Sequence, residues 1–144
     1  MKGKILAVCI SEKKGTSKKD IKEIDVIENF GLKGDAHGGD WHRQVSLLSF
    51  EKIVEFRKRG GKVGFGDFGE NIVVEGIDFS KIELGMRLSN DEIILEITQI
   101  GKTCHSKCNI FYSVGECIMP RNGIFARVLK GGYIKVGDYL EIEN

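Results

Sequence analysis

The chain has 144 residues, the size of one domain and long enough to bury a core without disulfides or metals to staple it. Hydrophobic residues at 41% and charged residues at 30% exclude a disordered chain, and a net charge of +1 excludes whole-molecule attraction to nucleic acid or an anionic membrane. No nucleic-acid recognition motif and no apolar run of spanning length occurs, so neither kind of partner is expected.

Taken in chain order, Lys4 to Ile10 is a short apolar run that predicts a buried strand. It is too short for a secretory signal, so the expected compartment is the cytoplasm, where thiols stay reduced. Gly15 to Asp20 reads as a mobile loop, and Ile21, Ile24, Val26 and Ile27 predict a strand or an irregular edge. Gly31 to Gly39 is a turn-rich loop. Val45 to Leu48 predicts a strand, with Ser49 as N-cap of one helix over 50–59. Phe50, Ile53, Val54 and Arg57 share a face at helical spacing, and Gly60-Gly61 ends the helix. Strands follow at Asn71–Val74, at Met86–Leu88 and Ile93–Ile100 as a hairpin, at Gly123–Leu129, Tyr133–Val136 and Tyr139–Ile142. Nineteen glycines against one proline fit many tight turns between short strands. With no repeat or linker, residues 1–144 read as a single domain, mainly β, a barrel or curled sheet with one or two short helices.

Four segments can carry chemistry. Cys104-His105-Ser106-Lys107-Cys108, with Cys117 after it, gathers three of the four cysteines. A thiolate is the reactive form of cysteine, and Lys102, His105 and Lys107 are the local groups able to favour it. Nucleophile, persulfide carrier and soft-metal ligand all fit, as does a structural metal on Cys104, Cys108 and Cys117, although the second cysteine pair of a usual zinc site is missing. Cys9, in an apolar strand, reads as inert packing. The loop 34–43, Gly-Asp-Ala-His-Gly-Gly-Asp-Trp-His-Arg, offers glycine backbone and polar handles to an anion, or is simply a solvated loop. The stretch 64–71, Gly-Phe-Gly-Asp-Phe-Gly-Glu-Asn, is either a structural turn or a pocket wall. Pro120 to Arg127 places Arg121 and Arg127 near a glycine turn, where a guanidinium fork can bind an anion.

Together, Gly-Leu-Lys-Gly-Asp-Ala-His-Gly-Gly at 31–39, Val-Ser-Leu-Leu-Ser at 45–49, Gly-Asp-Phe-Gly-Glu-Asn at 66–71, Cys104, and Arg-Val-Leu-Lys-Gly-Gly-Tyr-Ile-Lys-Val-Gly-Asp at 127–138 resemble the MOSC domain, the molybdenum-cofactor sulfurase C-terminal family, in a small stand-alone bacterial form. The resemblance implies a β-barrel of the type seen in the extra domain of pyruvate kinase. It also implies a molybdopterin-type cofactor, with Cys104 as the catalytic residue, either sulfur acceptor or molybdenum ligand. Lys33, Asp35, His37, Arg43, Glu70, Asn71, Arg121 and Arg127 are then the cofactor-binding candidates, and His105, Lys107, Cys108 and Cys117 the auxiliaries. A cysteine desulfurase or a molybdoenzyme is the implied partner. Pyridoxal phosphate, associated with larger family members, is not expected on this chain, which has no lysine in a recognisable Schiff-base context. The alternatives are a molybdenum-dependent oxidoreductase subunit reducing N-hydroxylated compounds and a non-catalytic binding module with a structural metal. The chain departs from many relatives in having Lys102-Thr103 before the cysteine and in carrying Cys108 and Cys117.

Overall fold

The computed structural model describes residues 1–101 and 123–143. Cys104, His105, Lys107, Cys108, Cys117 and Arg121 lie outside the described residues. The strands are β1 (Lys2–Ile10), β2 (Lys19–Asp20), β3 (Glu23–Ile27), β4 (Gly31–Leu32), β5 (Val45–Ser49), β6 (Ile72–Glu75), β7 (Arg87–Ser89), β8 (Ile94–Ile100), β9 (Ile124–Lys130), β10 (Gly132–Lys135) and β11 (Tyr139–Glu143). One helix, α1 (Phe50–Lys58), and a single 3-10 turn (Phe79–Lys81) complete the described elements.

Seven strands close on themselves in the order β1-β11-β7-β8-β9-β5-β6, with β6 pairing back to β1. This is the expected barrel. Neighbouring strands are antiparallel except β5 and β6, which run parallel with α1 as their crossover, because a parallel pair cannot be joined by a tight turn. A separate three-stranded sheet, β10-β3-β4, packs beside the barrel. The Lys-Gly-Gly turn at 130–132 therefore carries the chain from the barrel strand β9 to this second sheet, where Tyr133 pairs with Asp25.

Two apolar clusters form. The first, with Ile5, Val8, Leu47, Ile72, Val74, Leu95 and Ile97, fills the barrel. The second, with Ala7, Cys9, Leu48, Val73 and Phe125, lies under Ile53 and Phe56 of α1. Simple alternation would put Ile5 and Val8 on opposite faces. A β-bulge between Ile5 and Ala7 shifts the register, so both side chains join the first cluster. Cys9 is fully buried and burial pushes its thiol far above the ordinary range, which makes it a packing residue.

Packing decides which side of α1 faces inward, and the expected cap at Ser49 is corrected. The helix buries Ile53 and Phe56, whereas Arg57 is exposed and donates to the Val63 carbonyl. Phe56 wins the inner face because its ring meets Phe68 edge-on at 5.0 Å between centroids, an apolar contact that a guanidinium cannot replace. Ser49 occupies the N-cap position, but its hydroxyl turns to Glu51 Oε1 at 3.1 Å and caps no helix amide. No helix among the described residues is long and apolar enough to cross a membrane.

Candidate functional site

The loop after β4 turns across the end of β1: the Ala36 amide donates to the Ser11 carbonyl at 2.8 Å, and the Gly39 amide to Phe30 at 2.8 Å. This folds Asp35 inward. Its carboxylate accepts from Lys18 Nζ at 2.6 Å, from the Ser11 amide at 3.1 Å and from Asn71 Nδ2 at 3.1 Å. The side chains of Lys18 and Asp35 are 1% and 0% exposed, so the ion pair is shielded from water. Such a pair persists only with its remaining hydrogen-bonding capacity filled. The ammonium meets this condition with three acceptors: Asp35, Ser11 Oγ at 3.4 Å and His37 Nδ1 at 2.9 Å.

Lys18 was expected in a mobile loop. That reading is corrected: Lys18 is buried, and Lys19 and Asp20 pair with Ile10 and Cys9 as β2. The charge leaves water because Asp35, His37 and Ser11 replace its hydration.

Asn71 joins the two glycine-rich loops. Its Oδ1 accepts from the Ser46 amide at 2.9 Å, and its Nδ2 donates to the Cys9 carbonyl at 3.0 Å as well as to Asp35. Glu70, beside it, is fully buried and turned into its own loop, accepting the Gly66 amide at Oε2 and the Phe68 amide at Oε1, each at 3.0 Å. Both carboxylate oxygens are thus used in shaping the turn. Burial pushes Glu70 up to about 7 against the opposing pull of those amides.

The folded state therefore keeps a proton on Glu70 that the unfolded chain, with a value of 4.5, gives up. The sign follows: this contribution is fully present below pH 4.5 and is lost as pH rises to about 7, a fall of about 3 kcal/mol. Urea unfolding of the wild type and Glu70→Gln across that window should show a steeper decline in the wild type. Parallel profiles would contradict it.

Arg43 sits on the Trp41 ring, 4.6 Å from its centroid, and 5.7 Å from that of Phe125. Its Nε is buried with no hydrogen-bond partner among the described residues. Trp41 in turn donates its indole N–H to the His37 carbonyl at 2.8 Å, which ties Arg43 to the Lys18–Asp35–His37 cluster. Arg127 bonds Asp40 and Asn29, so its charge is already compensated within the loop. Lys33 is exposed, and its backbone amide donates to the Asp25 carbonyl.

His42 contacts Gln99 Oε1 through Nε2 at 2.8 Å, and Thr98 donates to the His42 carbonyl. Gln99 also donates to the Gly101 carbonyl, and the Gly101 amide to Gly123 at 2.7 Å. The chain therefore leaves β8 toward Cys104, and returns into β9, at a junction tied to the loop that carries His37 and Arg43.

Asp35, His37 and Asn71 come together as one cluster. Lys18, Ser11 and Ser46 complete it and were missed; only the length of a polar stretch hinted at Lys18. An open polar groove of about 400 Å³ elsewhere, lined in part by Lys2, Asp91, Tyr133, Lys135 and Tyr139, contains none of the sequence-predicted residues. Among the described residues no group of three or more His, Cys, Asp or Glu is placed to hold a metal ion.

A family model described as the MOSC domain matches residues 33–141. No curated protein matches the chain. Among solved structures, the YuaD protein from Bacillus subtilis is 20% identical with a TM-score of 0.81, covering 99% of this chain and 96% of that one. YiiM from Escherichia coli is 18% identical with a TM-score of 0.70, covering 100% of this chain and 70% of its own. YiiM from Geobacillus stearothermophilus, 18% identical, gives 0.73 over 99% of this chain and 75% of its own. These likenesses concern the fold. With the family model spanning most of the sequence and the barrel closed as described, the chain belongs to the MOSC domain family, which is associated with molybdenum-cofactor-related functions.

Proposed function

We propose that this chain binds a molybdopterin-type cofactor where loops 34–43 and 66–71 meet, and that Cys104 carries sulfur or ligates molybdenum. The observation that carries the reading is Arg43. A buried guanidinium nitrogen without an acceptor among the described residues is costly in isolation, and an anionic oxygen is the acceptor its chemistry suits. The residues around it fit such a group: Trp41 offers an aromatic face, and the loop supplies glycine backbone that an anion can approach closely. When bound, the cofactor supplies a redox-active molybdenum centre able to accept a thiolate ligand.

In this reading Arg43 receives the cofactor phosphate, with Lys33 and Arg121 adding positive charge. Asp35, His37 and Asn71 organise the wall of the site. Arg127 serves by holding Asp40, and Glu70 by shaping the 66–71 turn. Cys104 follows Gly101 by three positions in the sequence, and His105 or Lys107 favours its thiolate. Cys108 and Cys117 are auxiliary thiols. A cysteine desulfurase or a molybdoenzyme is the partner of either role.

The test is mass spectrometry of the native protein after incubation with a cysteine desulfurase and cysteine. A persulfide on Cys104, absent in Cys104→Ala, is the expected result for the sulfur carrier. Cofactor binding weakened at least tenfold in Cys104→Ala is expected for the ligand role. If that variant leaves both loading and binding unchanged, Cys104 has neither role.

A further inference from the structure

We infer that the open groove between the barrel and the second sheet binds a linear organic polycation, of the size and chemistry of a small aliphatic polyamine. The groove shares no residue with loops 34–43 and 66–71, so the inference stands apart from the cofactor reading.

The groove forms where the β7–β8 turn, the β10–β11 turn and the start of β1 meet, and its volume of about 400 Å³ is that of a small-molecule site. Asn90 fixes the first of these. Its Oδ1 accepts the Glu92 amide at 2.8 Å and the Ile93 amide at 3.0 Å, and its Nδ2 donates to the Tyr139 carbonyl at 3.1 Å. The turn is thus closed without the side chains of Asp91 and Glu92, which stay exposed and form no ion pair among the described residues. Gly132 passes against the Glu92 carbonyl, where a Cβ would clash, and this holds β10 against the turn.

The lining carries four carboxylates, Asp91, Glu92, Asp138 and Glu141, against two ammoniums, Lys2 and Lys135, on a chain whose net charge is +1. Lys135 is committed to Asp138 at 2.8 Å, which leaves Lys2 to oppose three carboxylates. Two groups in the groove respond to this negative field. Asp138 chiefly, with Glu23 and Glu92 adding to it, holds the Lys135 ammonium above its ordinary range. The Tyr133 phenol is also raised, first by its hydrogen bond to Glu23, then by partial desolvation and by the charges of Glu23, Asp25 and Asp138.

The shape of that field selects the ligand. A bare divalent cation needs several oxygens converging on one point. Among the described residues no group of three or more His, Cys, Asp or Glu is so placed. An extended cation needs no convergence, because each ammonium can take a separate carboxylate. Its methylenes can lie on Tyr133 and Tyr139, which are 39% and 51% exposed and whose ring faces also attract positive charge.

The test is titration of the full chain with spermidine near neutral pH and at constant ionic strength, followed by amide nitrogen-proton correlation spectra. Saturable shifts are expected at residues 90–93 and 133–141, with half-saturation at or below about 1 mM. Asp91→Asn/Glu92→Gln, on an exposed turn, should weaken binding about tenfold, and Tyr139→Ser about threefold. Lys2→Gln removes the opposing cation and should tighten binding, a gain that a damaged fold does not produce. No saturable shift in the groove, or binding unchanged in all three variants, overturns the inference. Equal shifts with magnesium at the same concentration would reduce the groove to an acidic surface and overturn it too. A lysine peptide of equal charge that binds more than about tenfold tighter than spermidine would assign the groove to a protein partner instead.

Discussion

Replacing Asp35 with alanine is expected to lower the unfolding free energy by about 3–5 kcal/mol, the cost of leaving a buried charge without its partner. The carboxylate is the shared acceptor of Lys18, the Ser11 amide and Asn71, so three donors lose their partner in one substitution. For a domain whose whole stability is on the order of 5–15 kcal/mol, that loss is large enough to populate the unfolded chain. Lys18→Met/Asp35→Asn should recover much of the loss, because no charge is left buried and the amide oxygen can still accept. Urea unfolding of the three proteins measures both effects. A loss below about 1 kcal/mol for Asp35→Ala would mean that the pair is hydrated and weak, as exposed pairs are.

The second large effect is expected at Gly66. Its φ is +91, and a Cβ placed there would lie 1.9 Å from the Lys18 carbonyl oxygen, backbone against backbone. The Gly66 carbonyl also accepts the Lys18 amide at 2.9 Å, so the two strands of chain cannot separate without losing that bond. Gly66→Ala should cost about 3 kcal/mol or more, the left-handed conformation and the steric overlap adding together. Gly69 supplies the comparison: its φ is +83, yet nothing lies within 4 Å of a Cβ there. Gly69→Ala should cost only the conformational part, about 1 kcal/mol. Equal losses at the two positions would contradict the close approach of Gly66 to Lys18.

Both predictions turn on the burial of Lys18, through its side chain at Asp35 and its backbone at Gly66, and that burial was the least legible part of the sequence. The barrel strands were readable because apolar residues mark them directly: Ile94–Ile100 and Ile124–Lys130 differ from the expected bounds by a single residue at some ends. The bulge at Ile5 and Ala7 was not readable, since nothing local distinguishes it from regular alternation. On α1, spacing grouped Arg57 with Phe50, Ile53 and Val54, whereas the helix buries Ile53 and Phe56, whose ring packs on Phe68.

In the site, Asp35, His37 and Asn71 stand out through the glycines around them. Lys18 does not. A lysine in a polar run reads as solvated, and its burial depends on an acceptor 17 residues later that only the folded chain delivers. Glu70 illustrates the converse. It stands out in the sequence as a polar group in a glycine loop, and the fold turns both its oxygens onto that loop's own amides.

The central functional claim is that an anionic pterin cofactor is bound at the junction of the two loops, with Arg43 receiving its phosphate. It is tested most directly by purifying the wild type and Arg43→Gln from a host that makes the molybdenum cofactor, and measuring the fluorescent pterin released on oxidation, per protein. Arg43 is half-buried, its Nε fully so, and the comparison is therefore made on variants shown to unfold at the same urea concentration. The account predicts pterin on the wild type and at least a tenfold reduction in Arg43→Gln. Equal pterin on both, or none on the wild type after loading with the isolated cofactor, would contradict it.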